Sequence, residues 1–330
     1  MRPGLQLDGC QNVNSESLSS TPTDVLYLGG TGRSGSTLLA SIIGTVNGCY
    51  PVGELRGVWS AIETDELCGC GSPFSRCSFW RAIGDRAFSG WGSIDVQKMQ
   101  IWDRKFLRQR RLPRLLSPVV GSSLRGELEA HLHVLAALYS AIRDVSRCQT
   151  IVDSSKVATY AVLLTRVPGL RVKILHLVRD SRAVSFSWGR TVDRPEYASH
   201  PTLAGTPMGT YSATVAALYC LGENSAFHAL RARGISSERI RYEDLVGHPG
   251  LEVQRALGSV GLTRLGPDCP VDDQHYAARE FHTIGGSRIR FKRGPVEIRE
   301  DAEWRTAMRR FDHLSVTILT LPLLLRYGYL

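Results

Sequence analysis

The chain alternates short unbroken apolar runs with longer stretches whose apolar positions recur every three or four residues. Val25-Leu26-Tyr27-Leu28 is the first such run, and it ends in Gly29-Gly30-Thr31-Gly32. A short apolar run closed by glycines predicts a strand buried on both faces, as in a parallel sheet. Leu38, Leu39, Ile42 and Ile43 follow at helical spacing, so the first unit reads strand, glycine-rich loop, helix. Three further strand candidates lie at 150–153, 172–178 and 239–242. Helical patterns lie at 131–142, 160–165 and 211–230. Strands alternating with helices predict an α/β fold, a single domain with a central parallel β-sheet flanked by helices.

From about 55 to 125 this rhythm breaks. The stretch carries Trp59, Trp80, Trp91 and Trp102, a group of cysteines and a basic run. It predicts an insert lying over the ligand-binding edge of the sheet, on the acceptor side. The segments 191–209 and 265–300 also lack periodicity, and loops of that length in a compact domain are commonly lids or binding loops. Residues 1–23 are polar and rich in Ser and Thr, which predicts a disordered tail before a domain spanning 24–330.

Composition narrows the class. At 330 residues, with 43% apolar and 22% charged side chains, the chain has globular proportions, which exclude collagen-like, coiled-coil and wholly disordered readings. A net charge of +9 predicts an anionic partner without choosing among phosphate esters, nucleic acid and an acidic membrane face. The opening residues hold no apolar leader core, and no run reaches the length of a membrane span. The most apolar stretch, 314–325, contains Pro322 and predicts a packed helix. Eight cysteines are too few for a disulfide scaffold of this size. Together these features predict reduced thiols and a cytoplasmic location.

Two segments carry candidate chemistry. Gly30-Thr31-Gly32-Arg33-Ser34-Gly35-Ser36-Thr37 joins the first strand to the first helix. Glycines let backbone approach an anion, and the free amides of a helix start favour phosphate there. Gly30 and Gly35 have the glycine spacing of a nucleotide-binding loop, yet Ser36 stands where a loop lysine would be, and Arg33 is the only cation. The second segment, Leu175-His176-Leu177-Val178-Arg179-Asp180-Ser181-Arg182, puts Arg179 at a strand's carboxyl end, the edge where open α/β sheets bind ligands. An ion pair with a carboxylate is the alternative role for Arg179.

Together the two segments resemble the sulfotransferases that use 3′-phosphoadenosine-5′-phosphosulfate (PAPS). Arg33-Ser34-Gly35-Ser36-Thr37 matches that family's 5′-phosphosulfate loop, and Arg179 with Ser187 matches the spacing of its 3′-phosphate site. The resemblance implies a P-loop-like sulfotransferase architecture with lid and insert segments. It implies a cofactor site made of Gly32, Arg33, Ser34, Gly35, Ser36, Thr37, Arg179 and Ser187. Arg241-Tyr242-Glu243-Asp244-Leu245 resembles a family segment whose tyrosine lies near the adenine; a strand-end core aromatic is the other reading of Tyr242. Gly285 through Lys292, Arg293 and Gly294 resembles the late loop that closes on the 3′-phosphate.

Sulfuryl transfer needs an acceptor proton removed, developing charge stabilised and a leaving phosphate held, which is positioning and electrostatics. In the branches with arginine in the first loop, a glutamate after the first helix serves as base, and Glu54 stands at that place. Arg33 and Lys156 resemble the charge-stabilising cations. The resemblance implies no metal. His176 falls on a buried strand and reads as a satisfied core residue. Cys68, Cys70 and Cys77, with Cys49 upstream, could form a four-thiolate zinc site, but their spacing is not that of paired CxxC motifs, and free thiols in a turned loop are the preferred reading. Residues 104–114 hold six cations in eleven residues, a solvated helix face or a surface for a membrane or anionic acceptor. The expected function is sulfuryl transfer from PAPS to a hydroxyl of a carbohydrate, lipid or small natural product. The expected partners are that small acceptor and no nucleic acid. A P-loop small-molecule kinase, and a nucleotide binder without turnover, are the alternatives; a nucleic-acid binder is disfavoured because the cations gather in phosphate-site segments.

Overall fold

A computed structural model describes residues 22–117, 122–198, 200–262 and 274–330. The expected tail, residues 1–23, lies outside the described residues except at its end, where Thr23 is buried and already pairs with Gly169. Five strands, β1 (Thr23–Gly30), β2 (Cys49–Gly53), β3 (Thr150–Lys156), β4 (Leu170–Val178) and β5 (Ser237–Arg241), form a parallel sheet in the order β2-β3-β1-β4-β5. The fold is the expected α/β architecture, with helices on both faces. The apolar run of β1 shows why it must be central. Val25 and Tyr27 join one core, with Leu138, Tyr139, Ile142, Tyr160 and Phe227 from the helices Ser122–Ser146, Ala158–Leu164 and Ala213–Ala232. Leu26 and Leu28 join the other, with Leu39, Ile42 and Ile43 from the helix Ser36–Ile43, and Leu245, Val253 and Leu257 from two later helices. A strand whose neighbouring residues face two cores has no polar face to alternate with.

β2 is absent from the strands that the apolar pattern predicts. It reads Cys-Tyr-Pro-Val-Gly, and Pro51 lacks the N–H that a central strand would need. An edge strand tolerates that loss on its open side, and β2 is the sheet's edge. The stretch 265–300 is also more ordered than its lack of periodicity predicts: from 274 onward it contains an antiparallel pair, β6 (His275–Ala278) and β7 (Gly294–Glu297).

The 55–125 stretch folds into the helices Val58–Thr64, Ser78–Phe88, Val96–Phe106 and Leu112–Leu116 and leads into Ser122–Ser146. Its Trp59, Trp80 and Trp102 side chains share one core with Val25 and Tyr27 of the sheet. At the far end, the helix Arg310–Tyr327 contains Pro322 and buries Val316, Thr320, Leu323, Leu324 and Tyr327. Its opposite stripe of Phe311, Leu314, Ile318 and Leu325 is exposed, so the expected packed helix is packed on one side only. Among the described residues no helix is long and apolar enough to cross a membrane. His176 is the core residue the sequence suggests. It bonds Asn224 at 2.9 Å, stacks on Phe227, and has its pKa pushed down to about 3 by burial.

Candidate functional site

Every strand of the parallel sheet delivers a sequence-predicted residue to its carboxyl end. β1 ends at the Gly30 loop, β2 leads to Glu54, β3 ends at Lys156, β4 leads to Arg179 and β5 to Tyr242. Parallel strands place all these ends on one edge, and that edge is where ligands of open α/β sheets bind.

The loop after β1 is built for close approach. Gly30 has φ +137, and a Cβ there would lie 2.2 Å from the Leu177 carbonyl oxygen. Gly35, at φ +94, caps the helix Ser36–Ile43, and a Cβ on it would strike the Tyr242 ring at 2.6 Å. A Cβ on Gly32 would strike Trp188 at the same distance. The glycines therefore let two aromatic rings support the loop from beneath while its amides stay free for an anion. Ser34 is turned inward, its hydroxyl donating to Thr31 O at 2.7 Å. Arg33 is an unusual cation. Its backbone is left-handed, at φ 69. Its guanidinium lies over the Trp188 ring and its NH2 group meets only the Met208 sulfur, at 3.0 Å. Its Nε is buried with no partner, and no carboxylate pairs with it among the described residues. Burial lowers its pKa from the usual arginine value. A half-desolvated guanidinium facing a thioether and a ring lacks the acceptor oxygens that a phosphate or sulfate would provide.

Arg179 is more fully engaged. It is buried, donates to Arg33 O at 3.0 Å, and pairs with Asp301 at 3.1 Å. Its guanidinium lies 4.3 Å above the Tyr242 ring, and its Nε has no partner. The carboxylate ion pair foreseen as its alternative is thus present. Tyr242 is buried and touches both the Gly35 cradle and Arg179; its contacts are those of a strand-end core aromatic. Ser187 sits half-exposed in the last turn of the helix Ser181–Trp188, and its hydroxyl has no hydrogen bond among the described residues.

Glu54 and Lys156 form an ion pair across the ends of β2 and β3, and Lys156 holds a left-handed φ of 72. Gly285 and Gly286 close over them. A Cβ on Gly285 would touch Glu54 Cβ at 2.9 Å, and one on Gly286 would touch Thr37 Oγ1 at 2.9 Å. Ser287 N donates to Thr37 Oγ1 at 3.1 Å. Beside Glu54 opens a cleft of ≈ 470 Å³, lined by Arg56, Ser60, Asp103, Arg104, Leu107, Arg108 and Ser155. The insert therefore walls the space next to Glu54, and two of the six cations of the basic run, Arg104 and Arg108, face it.

The late loop divides its contacts. Gly285–Ser287 meet Glu54 and Thr37, while Arg293 is committed to Glu280 and to the Gly69 carbonyl. Lys292 is exposed, and its ammonium has no partner among the described residues. Gly294, at φ +74, starts β7. Contact with Arg179 comes instead from Asp301, and the Arg299 carbonyl accepts from the Tyr242 hydroxyl. Sequence reasoning also passed over Arg56, Met208 and Asp103. No short motif marks them, although Met208 lies in the 191–209 segment and Arg56 and Asp103 in the 55–125 insert, both singled out from the sequence.

Asp103 makes the cleft sensitive to pH. Burial, only partly offset by Arg56 and Arg104, pushes its pKa up to about 7. Its nearest basic neighbour is His131, whose Nε2 stands 3.4 Å away and whose pKa burial pushes down to about 4. The native state thus retains an Asp103 proton that the unfolded chain releases near 3.8. That contribution to stability is complete below pH 3.8 and is lost as pH rises through about 7. Asp103→Asn removes the loss. Its unfolding free energy is expected to exceed that of the natural chain by on the order of 2–4 kcal/mol at pH 8, and by roughly a third of that at pH 5. Denaturant unfolding of both chains across this range checks it; a difference independent of pH would refute the titration.

No family model matches the chain, and no curated protein matches it. Among solved structures, it is similar to the sulfotransferase domain of the Synechococcus PCC 7002 olefin synthase, at 16% identity and a TM-score of 0.43, over 91% of this chain and 95% of that one. It is also similar to the sulfotransferase STF9 of Mycobacterium avium, at 12% identity and a TM-score of 0.37, over 74% of this chain and 66% of that one.

Proposed function

We propose that the chain transfers a sulfuryl group from PAPS to the hydroxyl of a small acceptor, releasing adenosine 3′,5′-bisphosphate. The observation that carries this reading is the pairing of an acceptor-poor cation, Arg33, on a glycine cradle with a carboxylate, Glu54, facing a cleft. The donor set fits a bisphosphorylated nucleotide: buried unpartnered Nε atoms on Arg33 and Arg179, a free Ser187 hydroxyl, and the amides of the helix start. When bound, PAPS supplies an activated sulfuryl group on a phosphate leaving group.

In this reading the loop from Gly32 to Thr37 holds the 5′ end, and Arg33 balances charge that grows on the leaving oxygens. Arg179 and Ser187 hold the 3′-phosphate, with Lys292 the late-loop cation free to join them. Tyr242 keeps Arg179 and Gly35 in register. Glu54 takes the proton of the acceptor hydroxyl, and Lys156 beside it compensates the charge. Arg56, Arg104 and Arg108, three cations against the carboxyls of Glu54 and Asp103, favour a polar or anionic acceptor. These roles use side-chain cations throughout.

Calorimetric titration with adenosine 3′,5′-bisphosphate, and separately with ATP and Mg²⁺, tests the reading. The bisphosphate is expected to bind without metal and at least about tenfold more tightly than ATP. Preference for ATP·Mg²⁺ with indifference to the 3′-phosphate would replace sulfuryl transfer with phosphoryl transfer.

A further inference from the structure

Three thiols and one imidazole converge outside the cleft. Cys68, Cys70, Cys77 and His282 each present one ligand atom, and these atoms lie within 4.8 Å of one another. The fourth expected member, Cys49, is not among them; it opens β2. The partner the sequence pattern lacked is His282, which chain folding brings back from 205 residues beyond Cys77.

The spacing suits a single ion. Cys77 Sγ stands 3.7 Å from Cys68 Sγ and 3.8 Å from Cys70 Sγ. His282 Nδ1 lies 3.2 Å from Cys77 Sγ and 3.7 Å from Cys68 Sγ. A tetrahedral zinc with its usual bond lengths requires about 3.8 Å between sulfurs and about 3.6 Å from sulfur to nitrogen. A disulfide would instead draw one pair to about 2.05 Å and leave the third thiol aside. Here the Cys77 sulfur is equally distant from both others. Three soft thiolates with one imidazole in so compact a set select zinc over hard oxygen-seeking ions.

The surroundings hold the ligands in place. Cys68 N donates to Ser72 O and Gly71 N to Cys68 O, a tight turn completed by Gly71 at φ +87. A Cβ on Gly69, between the first two thiols, would strike Phe281 O and Thr283 Oγ1, each at 2.4 Å. Gly69 N donates to Thr283 O at 2.8 Å. His282 stacks on Phe79 at 4.8 Å, and Phe79 on Tyr50 at 5.2 Å. Arg290, pairing Glu66 at 2.8 Å, ties the same two segments a second time.

We propose that Cys68, Cys70, Cys77 and His282 bind one zinc ion that fastens the 66–78 loop of the insert to the 281–294 segment. That segment carries Gly285 and Gly286 against Glu54 and Thr37, so the ion would fix the backbone that packs on Glu54. With four protein ligands it has no open position, and its role is structural. The proposal does not rest on the sulfuryl-transfer reading: metal content is read without activity, and bisphosphate binding tests that reading separately.

Elemental analysis of the full chain, purified under reducing conditions without chelator, is expected to find one zinc per chain. Chelation or a mercurial should release the zinc together with added reactivity of three thiols. Replacement by cobalt(II) should give thiolate charge-transfer bands and a tetrahedral ligand-field spectrum. His282→Ala is expected to lose the metal, whereas His282→Cys, which supplies a fourth thiolate, retains it. Because Cys variants can misfold, the natural chain decides the matter. Protein from zinc-supplemented medium that carries no stoichiometric zinc, with all three thiols freely reactive or two of them joined in a disulfide, would overturn the proposal.

Discussion

Glu54→Gln is expected to lower the rate of transfer by about 10²- to 10⁴-fold, the usual contribution of a positioned general base. The amide keeps the shape that fits beneath Gly285, whose Cβ position lies 2.9 Å from Glu54 Cβ. What it removes is the proton acceptor and the charge facing Lys156. Affinity for adenosine 3′,5′-bisphosphate should stay within about threefold, a change worth less than 1 kcal/mol. The assay is release of the bisphosphate from PAPS in the presence of alcohols, phenols and sugars, with calorimetry on the same preparation. If the rate stays within about tenfold while binding is normal, the proton goes elsewhere and Glu54 serves Lys156 alone. Loss of both rate and binding would mean that the ion pair holds the strand ends in place and is not specific to the chemistry.

Arg33→Met separates binding from stability in the opposite direction. The guanidinium already lies against a thioether and an indole, with Nε unpartnered, so methionine can fill much of its volume. The left-handed backbone at φ 69 strains both residues alike. Removing a half-buried charge that lacks a carboxylate is expected to leave unfolding stability unchanged or raised, because its desolvation is uncompensated in the free protein. Bisphosphate affinity should nevertheless fall about 10- to 100-fold, the range of a charge-assisted hydrogen bond lost. Transfer should fall further, since charge on the leaving oxygens grows during reaction. Unfolding midpoints and calorimetry together check it. A variant that loses stability and keeps its affinity would make Arg33 a structural residue.

Much of the sheet and of the edge that carries the candidate site was legible from order along the chain. Val25–Leu28 of β1 is a continuous apolar run because it faces two cores, and that pattern can be seen without knowing any neighbour. The glycine loop and Arg179 are local in the same sense: a strand's carboxyl end is marked by where its apolar run stops. β2 escaped because its stability comes from pairing with β3, and Pro51 hides it from any pattern rule. The partners of the late-loop cations were hidden for a related reason: Arg293 meets Glu280 and the Gly69 carbonyl, and Arg290 meets Glu66, all contacts between segments apart in the chain.

By itself, then, the sequence determined what depends on hydrophobic period and backbone freedom: an α/β chain, a parallel sheet, and a glycine loop where glycine alone allows the observed close approach. Tertiary structure alone decided what depends on distance between segments far apart in the chain. It set Glu54 against Lys156, left the Arg33 guanidinium without an acceptor oxygen among the described residues, put Asp103 in a cleft dry enough to shift its titration, and brought His282 to three thiols. The physical reason is that a side chain's charge, partners and reactivity come from its solvation and neighbours. A linear order records neither until the core has closed.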